Sequence, residues 1–266
     1  MLYKISEVSR ITGIPIDTIR YYVKEGVISP ARKGTYHYYS AWDVHYLMDY
    51  KKYRALEMAP GDIRQIFYSD SLEDYKERLF QMGDYYKRKV LYYSLLEKRN
   101  RIMQELLEEV PEALGKYRIR EYPSGYYLRY SGKKDFTVNE DSKLKKYFDR
   151  YFSFVEGVAS FPLSSTSGET PVDAYDWLLC MRCDFLDALE DTRGEDFPVI
   201  SARKAVYTVV YAGEEGTFTV DLLKPVLSYV KKQGYRICGN VYGILLAKTL
   251  DQGQFRRYIG VYVPVE

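Results

Sequence analysis

Apolar and aromatic residues recur every seven positions along residues 71–111, in two series that are offset by three. This spacing is typical of the a and d positions of a coiled coil. Ser71 and Asp74 predict a capping box at the start of the helix, and Pro111 predicts its end. The residues assigned to the seam are Leu72, Leu79, Met82, Tyr86, Tyr93, Leu96, Asn100, Met103 and Leu107.

A helix of this length would extend roughly 58 Å, too far to bury its apolar stripe against one small domain. We therefore predict a dimerisation helix over residues 71–111 that pairs with the same helix of a second copy. The alternative is a long core helix within one domain.

The pattern of residues 1–70 predicts a helix-turn-helix followed by a wing. Ile5, Val8 and Ile11 mark one helix, which Gly13 ends, and a second helix begins after Pro15 and stops at Gly26. A basic turn, residues 29–35, lies between short extended segments and predicts a β-hairpin. Ser40 predicts the cap of a third helix, and Pro60 predicts the start of a fourth.

The second helix leaves polar side chains on its outward face, and these suit a DNA surface. An arginine donates to phosphates or guanine edges, and hydroxyl groups donate to backbone oxygens. The chain is nearly neutral, with a net charge of +2, so its bulk charge argues neither for nor against nucleic acid. The candidate DNA-binding residues of this segment and of the wing are Thr18, Arg20, Tyr21, Tyr22, Lys24, Arg32, Lys33, His37 and Tyr38.

The ordered set Tyr3–Val8, Thr18–Tyr22, Glu25–Ile28 and Tyr38–Ser40 resembles the MerR-type winged helix. The resemblance implies that the Arg-Tyr-Tyr run lies on the recognition helix and that the wing contacts phosphates. It also implies an antiparallel homodimer that binds double-stranded promoter DNA and, on receiving a signal, kinks and untwists the spacer so that RNA polymerase engages. His37 departs from the pattern, since an arginine usually precedes the tyrosine pair.

Residues 112–266 show one α+β pattern twice. The first copy has two short strands around Pro123–Gly125, a helix at about 141–156, a polar loop at 160–172 and a strand at 177–185. The second has a strand at 205–211, a helix at about 220–233 and strands at 235–246 and 255–263. We predict a pseudo-two-fold domain with a cleft between its halves. The fold class is therefore α+β multidomain, divided into residues 1–70, 71–111 and 112–266.

The C-terminal half is similar to the GyrI-like effector domain of multidrug-responsive regulators. The matching stretches are 205–207, 234–235, 239–243 and 261–265. In that family, glutamates face cationic ligands at positions that are Gly243 and Gly260 here. The resemblance therefore implies a roomy cleft with little fixed negative charge, which binds flat hydrophobic ligands whether neutral or cationic.

Aromatic side chains supply the expected contacts to such a hydrophobic or aromatic small-molecule effector, because rings stack on planar ligands by dispersion and cation–π attraction. The alternative for each ring is ordinary packing in the core. The candidate ligand-binding residues are Tyr147, Trp177, Met181, Phe185, Tyr207, Tyr211, Tyr242, Tyr258 and Tyr262.

Cysteine placement argues against metal sensing, because residues 71–120 contain neither cysteine nor histidine. Cys180 and Cys183 lie in a predicted strand, where they would face opposite sides of the sheet. We identify no catalytic residue and expect no metal or other cofactor. The three cysteines and the lack of a signal or membrane segment predict a cytoplasmic protein.

These patterns predict a ligand-responsive, DNA-binding transcription regulator that is not an enzyme. One rival is a DNA-tethered hydrolase with a GyrI-like fold, against which the missing glutamates argue. Another is an architectural DNA-binding protein with a vestigial pocket.

Overall fold

The structure, a computed structural model, describes residues 2–68, 71–131, 142–162, 175–190, 192, 195–213, 219–251 and 253–266. It divides into two units, Met1–Tyr86 and Lys87–Glu266. The predicted polar loop at 160–172 lies almost entirely outside the described residues. No helix among the described residues combines the length and apolarity needed to span a membrane.

The first unit is the predicted winged helix-turn-helix. It contains α1 (Ile5–Thr12), α2 (Ile16–Lys24), β1 (Ala31–Lys33), β2 (Tyr36–Tyr38), α3 (Ala41–Ala55) and α4 (Pro60–Tyr68). Gly13 ends α1 with a left-handed φ of 65°, and the Ser40 hydroxyl caps α3 by accepting from the Asp43 N–H. The core is centred on Val8, Ile19 and Leu47, whereas Ile11, expected on the apolar face, is exposed.

Helix α5 (Leu72–Glu108) is continuous and belongs to both units. Its capping box is formed: the Asp74 N–H donates to Ser71 Oγ at 3.2 Å and the Ser71 N–H donates to Asp74 Oδ2 at 2.8 Å. It ends before Pro111, which lies in the first turn of the short helix α6 (Val110–Ala113).

The two predicted heptad series of α5 have different environments. Met82 packs on the first unit and Leu96 packs on the second, so these d positions are partly buried against their own chain. The a positions Leu72, Leu79 and Tyr93 are 68%, 44% and 59% exposed. One face of the helix therefore remains apolar and uncovered in the single chain.

The second unit is an eight-stranded sheet with helices on its outer face. After β3 (Arg118–Tyr122) come β4 (Gly125–Ser131), α7 (Lys143–Arg150), β5 (Glu156–Phe161), β6 (Asp176–Arg182) and α8 (Cys183–Glu190). The chain continues with β7 (Val199–Ile200), β8 (Arg203–Ala212), α9 (Lys224–Lys232), β9 (Val241–Asp251) and β10 (Gln254–Pro264). The order is β3-β8-β10-β9-β5-β6-β4-β7, with antiparallel pairing throughout.

The repeated pattern is confirmed by this order. Strands β4, β5 and β6 form one half, strands β8, β9 and β10 form the other, and in each half the third strand lies between the first and second. A helix follows the first strand of each half, α7 in one and α9 in the other. The halves join where β5 pairs with β9.

Two predicted elements of the first half are corrected. The helix expected at 141–156 ends at Arg150, and Glu156 begins a strand. The strand expected at 177–185 ends at Arg182, and Cys183 begins α8. Phe185 therefore lies on a helix and does not share a strand face with Trp177 and Met181.

The sheet is strongly curled. Strands β3 and β4 lie six places apart in the sheet, roughly 29 Å if it were flat, yet only Pro123 and Ser124 separate them in the chain. Three Cα–Cα steps reach about 11 Å, so the sheet must bend until these strands approach each other. At this corner a Cβ on Gly125 would lie 3.2 Å from the Met181 carbonyl oxygen, which explains the glycine.

Three apolar clusters fill the second unit. On the outer face one lies under α9 and includes Val206, Val226 and Val261, and another lies under α7 and α8 around Phe148. The third, on the inner face, includes Tyr207 and Tyr262. The end of α5 contributes Leu106 to this inner cluster.

Phe148 and Phe152 provide a direct test of the corrected helix boundary. Phe148 is fully buried and Phe152 is 61% exposed, although both belong to the apolar series of the predicted helix. We expect Phe148→Ala to lower the free energy of unfolding by about 3–5 kcal/mol, because it leaves a cavity. Phe152→Ala should change it by less than about 0.5 kcal/mol in denaturant unfolding. Equal losses would contradict the boundary at Arg150.

Candidate functional site

The outward face of α2 carries the predicted recognition residues. Arg20 and Tyr21 are exposed, and Arg20 is paired with Asp17 on the same helix at 2.9 Å. Tyr22 instead packs on Tyr50, with ring centres 4.3 Å apart, so it supports the fold from the inner side of the helix. Of the remaining predicted residues on α2, Thr18 is half-buried and Lys24 is exposed.

The wing formed by β1 and β2 presents the other predicted residues. Arg32, Lys33 and His37 are exposed, and Tyr38 is half-buried. The Lys33 amino group lies 6.0 Å from the centre of the Tyr38 ring, and Arg32 Nε donates to the Gly34 carbonyl at the turn. These contacts order the wing while its cations remain accessible.

A groove of about 600 Å³ runs between the wing, α2 and the start of α1. Arg20, His37 and Tyr38 line it, together with Lys4 and Tyr36, which the sequence did not single out. Tyr36 is 71% exposed, so its ring is accessible on this surface. The structure thus gathers the helix and the wing around one polar, aromatic groove.

The predicted ligand-binding residues lie in several places. Tyr147, Met181 and Phe185 belong to the outer cluster under α7 and α8. Tyr207, Tyr242, Tyr258 and Tyr262 belong to the inner cluster, and Tyr211 is 42% exposed. Trp177 lines a cleft of about 450 Å³ in the second unit. The set therefore does not form one aromatic pocket.

The two glycines expected to enlarge one cleft face opposite sides of the sheet. Gly243 pairs with Val261 on the outer face, and Gly260 pairs with Ile244 on the inner face. A Cβ on Gly260 would lie 3.2 Å from Tyr207 Cε2 and 3.3 Å from its hydroxyl oxygen. The Tyr207 ring fills the space at Gly260, so the roomy inner pocket expected there is absent.

The central cleft, which we define by its lining residues, holds about 450 Å³ where the two halves meet. This volume is in the range of small-molecule sites. Its lining combines residues of β5, β6, β9 and β10, most of them on the outer face, with Val155 just before β5 and two residues of α5. The lining residues are Arg99, Met103, Val155, Glu156, Gly157, Trp177, Gly243, Leu245, Lys248, Arg257 and Ile259.

Glu156 is an acid that the sequence reasoning missed. It is the first residue of β5, with a side chain 35% exposed, and it lines both the central cleft and a smaller inner cavity of about 170 Å³. Its carboxylate lies 3.7 Å from Arg99 Nη2 on α5. The sequence predicted a cleft with little fixed negative charge and did not identify this carboxylate. A lone glutamate before the apolar run Gly157–Phe161 was the available signal.

Burial and charge act on Glu156 in opposite directions. Burial raises the pKa of its carboxyl above the ordinary 4.5, and Arg99 and Arg182 partly offset the rise. Arg99 is itself incompletely satisfied, because its buried Nε finds no acceptor among the described residues. The cleft thus contains the Glu156 carboxylate, whose charge is offset by Arg99, and the Arg99 guanidinium, whose Nε–H has no acceptor among the described residues.

Cys180 and Cys183 lie in surroundings that disfavour the reactive thiolate form. Cys180 is buried in the strand, and burial raises the pKa of its thiol far above the ordinary value. Cys183 lies at the start of α8, where burial also raises the pKa. Within the described part of the chain, no group of three or more potential metal ligands occurs.

The raised pKa of Glu156 predicts a pH effect on stability. A carboxyl with a higher pKa in the folded state contributes stability that is present below its unfolded pKa, near 4.5, and is lost as pH rises through the folded pKa. Wild type should therefore lose unfolding free energy relative to Glu156→Gln as pH rises above about 4.5. Denaturant unfolding across pH measures this difference, with the exposed Glu108→Gln as control. A difference independent of pH would contradict the raised pKa.

Solved structures with similar folds are distant. A cryo-EM structure of EcmrR in complex with DNA is 16% identical, with 99% of each chain covered and a TM-score of 0.37. A MerR-family transcriptional regulator from Bacillus cereus is 23% identical, with 42% of this chain and 80% of the regulator covered and a TM-score of 0.30. A hydrolase from Listeria innocua is 13% identical, with 58% of this chain and 93% of the hydrolase covered and a TM-score of 0.36. Similarities at this level do not identify a function.

Sequence comparison is informative for the first unit. No curated protein sequence matches the chain. Residues 3–70 match the family described as MerR HTH family regulatory protein, and they cover α1 to α4, the wing and the groove. Residues 3–70 are therefore a MerR-family helix-turn-helix domain, the DNA-binding part of a transcription regulator.

Proposed function

We propose that the chain is a homodimeric, ligand-responsive regulator that distorts a promoter spacer when a hydrophobic or aromatic molecule occupies its C-terminal half. The observation that carries this proposal is the continuity of α5. Met82 and Tyr86 of this helix are anchored on the DNA-binding unit, where the Tyr86 hydroxyl donates to the Leu56 carbonyl at 2.6 Å. Arg99 and Met103 of the same helix line the central cleft.

The central cleft supports the sensory part of the proposal. An effector bound in the cleft would contact α5 directly, without an intervening loop. If the effector favours one position of α5, the change in that position is transmitted along the continuous helix to the first unit. A ligand shifts such an equilibrium only by its differential affinity for the two positions. Distortion of the DNA then draws on many backbone contacts, and RNA polymerase responds through the altered DNA.

The exposed apolar face of α5 supports the proposed dimer. Leu79, Val90 and Tyr93 lie on one side of the helix at spacings of three or eleven residues and are 44%, 69% and 59% exposed. The half-buried Tyr86 continues this row. Pairing with the α5 of a second copy would cover it, with a seam rotated from the a and d positions toward a and e.

The C-terminal half is proposed to be a GyrI-like effector domain, because its two halves repeat one strand order around a cleft. A hydrolase of the same fold is the rival. Glu156 is the one carboxylate among the lining residues of the central cleft, and Arg99 compensates it. The purified protein should therefore not hydrolyse ester or amide analogues of any ligand it binds.

The DNA surface is tested with a duplex selected from a random pool by the purified protein. Arg20→Ala and Tyr21→Phe should each weaken binding by about 1–3 kcal/mol in fluorescence anisotropy, as for a lost specific contact. Lys33→Ala should weaken binding evenly across sequences and reduce its salt dependence. Lys232→Ala on α9 is the charge-matched control. Unchanged affinity in all three test variants would remove α2 and the wing from the interface.

The dimer is tested at residues that are exposed in the single chain. Leu79→Glu with Tyr93→Glu should give monomers in sedimentation velocity, because charges would be buried in the seam. Leu250→Glu, at a leucine 74% exposed on β9, is the control and should leave the mass unchanged. A double variant that still sediments as a dimer would place the interface elsewhere.

A further inference from the structure

His37 lies on the wing directly opposite a cation. Its side chain is exposed on β2, and the antiparallel pairing places it across from Arg32 on β1. Arg32 Nε donates to the backbone carbonyl at the hairpin turn at 3.1 Å, which holds its guanidinium on the wing. On the alternate face of the hairpin, Lys33 pairs with Tyr36 and lies 6.0 Å from the centre of the Tyr38 ring. Protonation of His37 therefore places two like charges at opposed positions, an arrangement that repels.

The acids near the groove do not offset this charge. Among the residues that line the groove in the described part of the chain, Lys4 and Arg20 are cations and none is an aspartate or glutamate. The acids in the first turns of α1, α2 and α3 have partners of their own. Asp17 pairs with Arg20 at 2.9 Å, Glu7 accepts from the backbone N–H of Lys4 at 2.8 Å, and Asp43 accepts from the N–H that precedes α3 at 2.6 Å. A bound anion would therefore be the counter-charge of an imidazolium on the wing.

A DNA phosphate supplies that anion. An imidazolium donates a charge-assisted hydrogen bond to a phosphate oxygen, whereas a neutral imidazole brings no charge to the contact. Histidine is the side chain whose charge normally changes between pH 5 and pH 8. Binding of DNA and uptake of a proton at His37 therefore favour each other, because the coupling between two binding events is reciprocal.

Resting on the proposed DNA-binding function, we infer that His37 is a proton-gated phosphate contact. The wing holds the DNA backbone more tightly when this histidine is protonated, so the affinity for a promoter duplex rises as pH falls from about 8 to about 6. The chain has one other histidine, His45, which is exposed on α3 beside Trp42 and does not line the groove. Acidification thus strengthens DNA binding at the wing independently of a ligand in the central cleft.

Fluorescence anisotropy with the full-length protein, and with a duplex selected from a random pool at pH 6, tests this coupling. At constant ionic strength, the affinity should fall by about three- to tenfold for each bound wing between pH 6 and pH 8, within the limit of about tenfold per pH unit for one proton. The slope of affinity against salt should also fall by about one for each wing, because one ionic phosphate contact is lost.

Three variants assign the effect to one side chain. His37→Gln removes the titrating group and should bind weakly at both pH values, as wild type does at pH 8. His37→Lys carries a permanent charge and should bind tightly at both, with the steeper salt slope throughout. His45→Gln is the matched control and should retain the pH dependence of wild type. Other titrating groups, including the Glu156 carboxyl with its raised pKa, cancel in the comparison of wild type with His37→Gln.

The outcomes separate this inference from the proposed function. Equal pH dependence in wild type and His37→Gln, or its loss in His45→Gln alone, would overturn the role of His37 while leaving a DNA-binding regulator. Tight wild-type binding that is the same at pH 6 and pH 8 would do so as well. If wild type selected no duplex at all, the proposed DNA binding itself would fail, and the inference with it.

Discussion

Helix α5 has more apolar surface than one chain buries, and the rest of the structure follows from how that surface is divided. One side packs on the C-terminal sheet unit through Leu95, Leu96 and Ile102, and an earlier segment packs on the winged helix through Met82. The remaining apolar row, at Leu79 and Tyr93, is left to solvent. Because helix stability in proteins comes mainly from tertiary packing, these contacts make α5 a structural part of each unit it touches.

This division also explains why the candidate effector site is built the way it is. A cleft between two sheet halves would ordinarily be lined by the sheet and its covering helices. Here α5 adds a guanidinium at Arg99 and a thioether at Met103, and Arg99 faces the carboxylate of Glu156. The electrostatics of the site and the position of the long helix are therefore linked through one loose ion pair.

The parts of the fold that carry local signals were predictable from the sequence. Gly13, Ser40 and Ser71 end or cap helices through interactions with their own neighbours, and the structure contains each of them. Strand β5 was missed because Phe148, Tyr151, Phe152 and Val155 continue a helical spacing beyond the true end of α7. The pairing of β5 with β6 and β9 decides its conformation, and that information lies far away in the chain.

The candidate site was less predictable for the same reason. Rings chosen by alternation along single strands were placed on the correct strands in most cases, but the sheet distributes them over two faces and three clusters. The Tyr207 ring that fills the space at Gly260 comes from the neighbouring strand, and no pattern within β10 reveals it. Glu156, by contrast, could have been identified from the sequence, because it is a charged residue at the edge of an apolar run.

The two-residue link between β3 and β4 has a mechanical consequence for the C-terminal unit. It joins the first strand of the sheet order to the seventh of the eight, so the two halves are connected at this corner as well as through the pairing of β5 with β9. A hinge motion that separated the two halves would have to strain the β3–β4 link or break the pairing of β5 with β9. The sheet therefore resists separation of its halves, whereas α5, which packs against it, is not constrained by this link. A change in the width of the central cleft would therefore require movement of α5 or of side chains, and α5 is the element that continues out of the unit.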